Sequence, residues 1–144
     1  MDKQEKQTNE KHLEFLQGNI TRMNQCSFQM KGWAIAIVSA LLAIFAGTIS
    51  ETCSGNKTFI FISIMPTVLF WFLDAYYLSQ ERKFVAMYND VAQITHQANL
   101  KDYEINLKIY KGWRYCLINT MLSVSTILLY GTIIVGLILM GILL

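Results

Sequence analysis

Along the chain, apolar residues gather into three blocks, 33–49, 59–78 and 116–144, preceded and separated by polar stretches. A helix needs roughly 20 mostly apolar residues to cross a hydrocarbon core about 30 Å thick, because lipid offers backbone amides no partner. The second and third blocks meet that length and the first stands at its lower end, so the pattern predicts three transmembrane helices. Ahead of the first block, Leu13, Leu16, Ile20, Met23, Ser27 and Met30 recur at alternating intervals of three and four. That spacing is a coiled-coil-like seam with one polar break at Ser27. Phe84, Met87, Val91 and Ile94 keep the same rhythm after the second block. The outward positions of the first seam are Gln17, Asn19, Thr21, Asn24 and Gln25. These are amides and hydroxyls, not the Lys and Arg of a helix lying on a bilayer, so they suit packing against protein.

One stretch breaks the helical rhythm. "YEINLKIY", 103–110, alternates apolar and polar strictly, as a strand does, without a second strand in the chain to pair with. It is read as a linker or as an edge open to a partner.

Lys and Arg near the spans assign orientation. Lys3, Lys6, Lys11, Arg22 and Lys31 precede the first block, and Arg82, Lys83, Lys101, Lys108, Lys111 and Arg114 separate the second from the third. The connection between the first and second holds only Lys57. The expectation is an all-α membrane protein with its N-terminus inside and its C-terminus outside. Its parts are a cytoplasmic amphipathic helix (1–30), a first span (31–49), a short outer loop (50–57), a second span (58–78), a cytoplasmic helix and linker (79–112) and a third span (113–144). Composition agrees: 53% of residues are hydrophobic and 15% charged, against about 25% charged in soluble domains.

Charge and cysteines narrow the chemistry. A net charge of +2 is too weak to point to nucleic acid. Cys26, Cys53 and Cys116 lack metal-ligand spacing, and His12 and His96 stand apart from any cysteine or acid cluster. There is no glycine-rich phosphate loop and no nucleophile elbow, so neither cofactor, metal nor enzyme activity is expected. "MKGWAIAI" and "YKGWRYCL" share Lys-Gly-Trp, the chemistry of an interfacial anchor in which Lys snorkels and the indole sits among headgroups.

Polar and small residues inside the spans mark the candidate sites. Ala36, Ser39, Ala40, Ala43 and Gly47 give the first span a small-residue packing face. Pro66 predicts a kink in the second by freeing the Ile62 carbonyl, with Ser63 or Thr67 placed to ease it. Asn119, Ser123, Thr126 and Tyr130 recur at four, three and four along the third block. They are read as glue between helices, as the lining of a water-filled path, or, for Asn119, as an interfacial residue. Asp74 closes the second span next to Tyr76 and Tyr77, with Glu81 on the same helix face. Both are expected to meet Lys31, Lys111 or Arg114 at the inner boundary as a clasp between span ends.

Two stretches carry a resemblance: "ITRMNQCSFQMKGWAIAIVSALLAIFA" and "FWFLDAYYLSQERKFVAMYNDV". Over residues 13–91 the chain resembles a family of small bacterial inner-membrane proteins. Arg22, Ser27, Phe28, Lys31, Gly32 and Trp33 match the pattern into the first span, and Trp71, Asp74, Tyr76 and Tyr77 the signature that closes the second. The resemblance implies membrane-effector biology, since some such proteins occur beside anti-phage signalling genes. The expected function is an oligomeric effector that permeabilises or depolarises the bacterial inner membrane when triggered. Its partners would be the bilayer, further copies of itself and a cytoplasmic sensor or signalling protein. A membrane anchor or accessory subunit recruiting a cytoplasmic partner, and a holin-like phage product, are the alternatives.

Overall fold

The structure, a computed structural model, describes residues 3–49, 57–95 and 105–143. The chain is built from helices α1 (Lys3–Gly47), α2 (Thr58–Val91), α3 (Leu117–Met121) and α4 (Val124–Leu143), with two 3-10 turns at Leu107–Ile109 and Trp113–Tyr115. Three of them, α1, α2 and α4, are long and apolar enough to cross a membrane. The protein is thus an all-α, multi-pass membrane protein.

At 1.5 Å per residue the 45 residues of α1 run about 68 Å and the 34 of α2 about 51 Å. Both exceed the roughly 30 Å of a hydrocarbon core. The surplus is the seam found in the sequence: α1 and α2 pack antiparallel and continue beyond their apolar stretches as one helical hairpin. At its basic end Leu16, Phe84, Met87 and Tyr110 form a buried cluster, flanked by Ile20, Met23 and Leu107. Ile94 is 68% exposed and takes no part. The seam also buries His12 and Asn19, which hydropathy alone does not select. At the apolar end Val38, Phe45, Ile60 and Leu137 form a second cluster that brings in α4. Gly141 makes the close approach there, since a Cβ on it would stand 3.3 Å from the Phe61 ring.

The small-residue row Ala36, Ser39, Ala40, Ala43 and Gly47 is exposed along its length, and α1 meets the rest of this chain through Ala34, Val38 and Phe45. Helix α2 continues through Pro66, the position of the predicted kink. The Ser63 and Thr67 hydroxyls donate to the carbonyls of Phe59 (2.8 Å) and Ser63 (2.8 Å), not to that of Ile62. The third span begins at Val124, not at 113, because the helix breaks at Leu122 and Ser123. In "YEINLKIY", Ile105 to Tyr110 form coil and a 3-10 turn, so no strand occurs among the described residues; Tyr103 and Glu104 lie outside them. Most of the outer loop, with Cys53, lies outside them as well.

Helix α2 ends in a Schellman motif. Gln93 adopts a left-handed conformation (φ 57°), while its N–H bonds the Asp90 carbonyl and that of Ile94 bonds Asn89. The Lys-Gly-Trp tripeptide occurs in two conformations. Lys31-Gly32-Trp33 is mid-helix, whereas Gly112 has φ 139° and ψ 169°, a region open to glycine almost alone. Trp33 and Trp113 both face outward, at 58% and 68% exposure, as anchors do.

Candidate functional site

Between the two apolar clusters lies a polar layer centred on Asp74. This side chain is fully buried, at 0% exposure. A carboxylate is stable there only if its charge is paired and its oxygens hydrogen-bonded. Lys31 Nζ lies 2.7 Å from Oδ2 and 2.8 Å from Oδ1, so α1 supplies the counter-ion. The contact with Oδ1 is a directed hydrogen bond and that with Oδ2 an ion pair. Ser27, one turn before Lys31, donates to Oδ1 at 2.5 Å and accepts from Nζ at 2.9 Å. The i, i+4 spacing puts both groups on the face of α1 that meets α2.

Of the five residues expected around a clasp, the structure brings Lys31 to Asp74. Glu81 is half-buried two turns along α2, and burial raises its carboxyl above the ordinary range; Arg82 and Lys31 nearby partly oppose that rise. Lys111 and Arg114 stand exposed on the connecting segment and form no ion pair with Asp74. They lie in the turn before α3, not on a helix that continues into the span. Ser27 is the member of the site that charge-based reasoning missed. Its signal was present as the single polar residue in an otherwise apolar seam.

The polar row of the third block is split between two helices. Thr126 and Tyr130 are on α4, Asn119 is on α3, and Ser123 sits in the break. Thr126 is fully buried, with its hydroxyl 2.8–3.0 Å from the carbonyls of Thr120, Met121 and Ser123. Its one proton is shared among carbonyls that also accept backbone N–H groups, that of Ser123 on Thr120 and those of Thr126 and Ile127 on Ser123, so it ties the start of α4 to the end of α3. Tyr130 is also fully buried, and its ring stacks on Trp71 at 6.1 Å. Its hydroxyl has no directed hydrogen-bond partner among the described residues and lies within Coulombic reach of Asp74. Trp71 Nε1 donates to the Met121 carbonyl at 3.1 Å. In this single chain Tyr130 holds α4 against Trp71 of α2, Thr126 ties α4 to the break, and both side chains are buried away from any open path.

A second polar knot holds the connecting segment. Tyr110 donates to Asp90 Oδ2 at 2.7 Å, and Thr95 donates to Oδ1 of the same carboxylate. Burial and the bond to Asp90 push the Tyr110 phenol well above its ordinary value. Ser79 donates to the Tyr115 carbonyl at 2.8 Å. Arg82 reaches the Arg114 carbonyl at 3.1 Å and Ser123 Oγ at 3.2 Å. The basic extension of α2 thus sets where the third span starts. Among the described residues no group of His, Cys, Asp and Glu could hold a metal ion.

No family model matches the chain, and no curated protein or solved structure matches it either.

Proposed function

We propose that this chain is an oligomeric membrane effector of bacterial anti-phage defence, resting in a latched state and permeabilising the inner membrane when the latch opens. The observation that carries the reading is the fully buried Asp74, bound by Lys31 and Ser27. It lies where a long helical hairpin passes from its basic extension into its spans. An ionisable residue at such a place marks a functional site by default, because an apolar pair would hold the helices at less desolvation cost. The extension offers an infection cue a lever, and the latch ties that lever to the spans. The exposed small-residue face of α1 supports assembly, since small side chains let helix backbones approach closely in lipid. Thr126 and Tyr130 are covered in the resting subunit, so any path they line requires α4 to leave α2.

The anchor reading is kept for one observation. Gln17, Thr21, Asn24, Gln25 and Gln29 form an exposed amide-rich face on α1, with Phe28 76% exposed beside it. Such a face suits recruitment of a soluble partner. Membrane potential, read by dye fluorescence in bacteria expressing the chain under a tight inducer, separates the two. The effector reading expects depolarisation on phage challenge. Polarised cells at verified expression, with and without phage, together with co-purification of one soluble protein through α1, would establish the anchor in its place.

A further inference from the structure

A cavity of about 350 Å³ opens beside the latch, between α1, α2 and the first turn of α4. Its wall carries Asn24, Ser27, Phe28 and Lys31 from α1, Glu81 from α2 and Ser125 from α4. Two features fix its depth. The 20 residues of α4 span about 30 Å, the thickness of the hydrocarbon core, and Ser125 belongs to their first turn. On α1, Lys31 and the exposed Trp33 mark the same level as interfacial anchors. The cavity therefore opens where lipid headgroups lie.

Its charges are unequally satisfied. Lys31 is committed to both oxygens of Asp74 and to Ser27, so that cation is neutralised. Arg82 is turned toward the Arg114 carbonyl and Ser123. Among the described residues no cation stands within ion-pair distance of Glu81, although Arg82 and Lys31 act on it from farther away. A half-buried carboxylate on a cavity wall is best satisfied by a cation that also donates hydrogen bonds. Asn24 and Ser125 add neutral acceptors, and Phe28 adds an aromatic face, which attracts cations. A quaternary ammonium would meet the charge but has no N–H for these acceptors.

We propose that this cavity binds the primary ammonium of an ethanolamine phospholipid headgroup, with Glu81 as its counter-charge and Asn24 and Ser125 as further acceptors. The site belongs to the membrane-spanning bundle itself and stands independently of the effector reading.

Native mass spectrometry of the full chain, with phosphatidylethanolamine, phosphatidylcholine and phosphatidylglycerol in competition, tests the assignment. The wild-type chain is expected to retain phosphatidylethanolamine about tenfold over phosphatidylcholine, the scale of one charge-assisted hydrogen bond. Glu81→Gln should bring the two to parity, Glu81→Asp should keep most of the preference, and Asn24→Ala should lose part of it. Thermal unfolding in phosphatidylcholine nanodiscs checks the fold: Glu81→Gln should melt no lower than wild type, because it removes a buried charge. Equal retention of the two lipids by wild type, or a preference that survives Glu81→Gln, would overturn the proposal. So would full displacement by millimolar free ethanolamine, which would make the ligand a soluble amine instead of a lipid.

Discussion

At the scale of single residues, the buried Asp74 decides the polar layer, and its two bonded neighbours, Lys31 and Ser27, are unequal. Removing Lys31 leaves a carboxylate at 0% exposure without its counter-ion. Removing Ser27 deletes one hydrogen bond and leaves the ion pair in place. Lys31→Met is therefore expected to lower unfolding stability by roughly 3–5 kcal/mol, and Ser27→Ala by about 1 kcal/mol. Thermal or denaturant unfolding in one detergent checks the order, and equal losses would mean that the pair is not the principal support. Depth and charge named Lys31 as one of three partners for Asp74, beside Lys111 and Arg114. They did not place Ser27 there, because a hydroxyl in a seam carries no charge to pair. Lys111 and Arg114 share the depth but not the position, since depth does not say which residues lie on a helix and which on the turn before it.

At the scale of elements, periodicity recovered the hairpin and its seam, because α1 and α2 bury one face along most of their length. The stops were harder to see. Helix α2 ends with Gln93 in the left-handed conformation where glycine is usual, so composition gave no punctuation there. The break before α4 lacks both Gly and Pro, and its only sign is Ser123 ahead of an apolar run, a weak capping signal. The small-residue row of α1 was legible as a row, but which row faces α2 depends on packing across the hairpin. The connecting segment is held by Tyr110 on Asp90, and this contact has a predictable pH dependence. With its phenol raised above the ordinary value of 10.0, the folded state retains the proton that the unfolded chain releases. The contribution is complete below pH 10 and declines as pH rises above it. Tyr110→Phe should remove about 1–3 kcal/mol of docking, leaving Asp90 with one donor fewer. Hydrogen exchange should then quicken over 105–115 and stay unchanged in the middle of α4. Equal quickening in both would show one cooperative unit instead of a locally docked segment.

For the whole molecule, the polar layer lies between the two apolar clusters, so under the proposed function a change at the extension would reach the spans through the latch. In the proposed function Lys31, Asp74 and Ser27 hold the resting arrangement of a membrane effector. The most direct measurement is membrane potential in bacteria expressing, at matched levels, the wild type, Asp74→Ala and the charge-swapped Lys31→Asp/Asp74→Lys chain. Asp74→Ala should depolarise the cells without any infection cue, and the swap should restore the potential toward the wild-type value. An Asp74→Ala chain that inserts at wild-type levels and leaves the potential intact would contradict the proposed function.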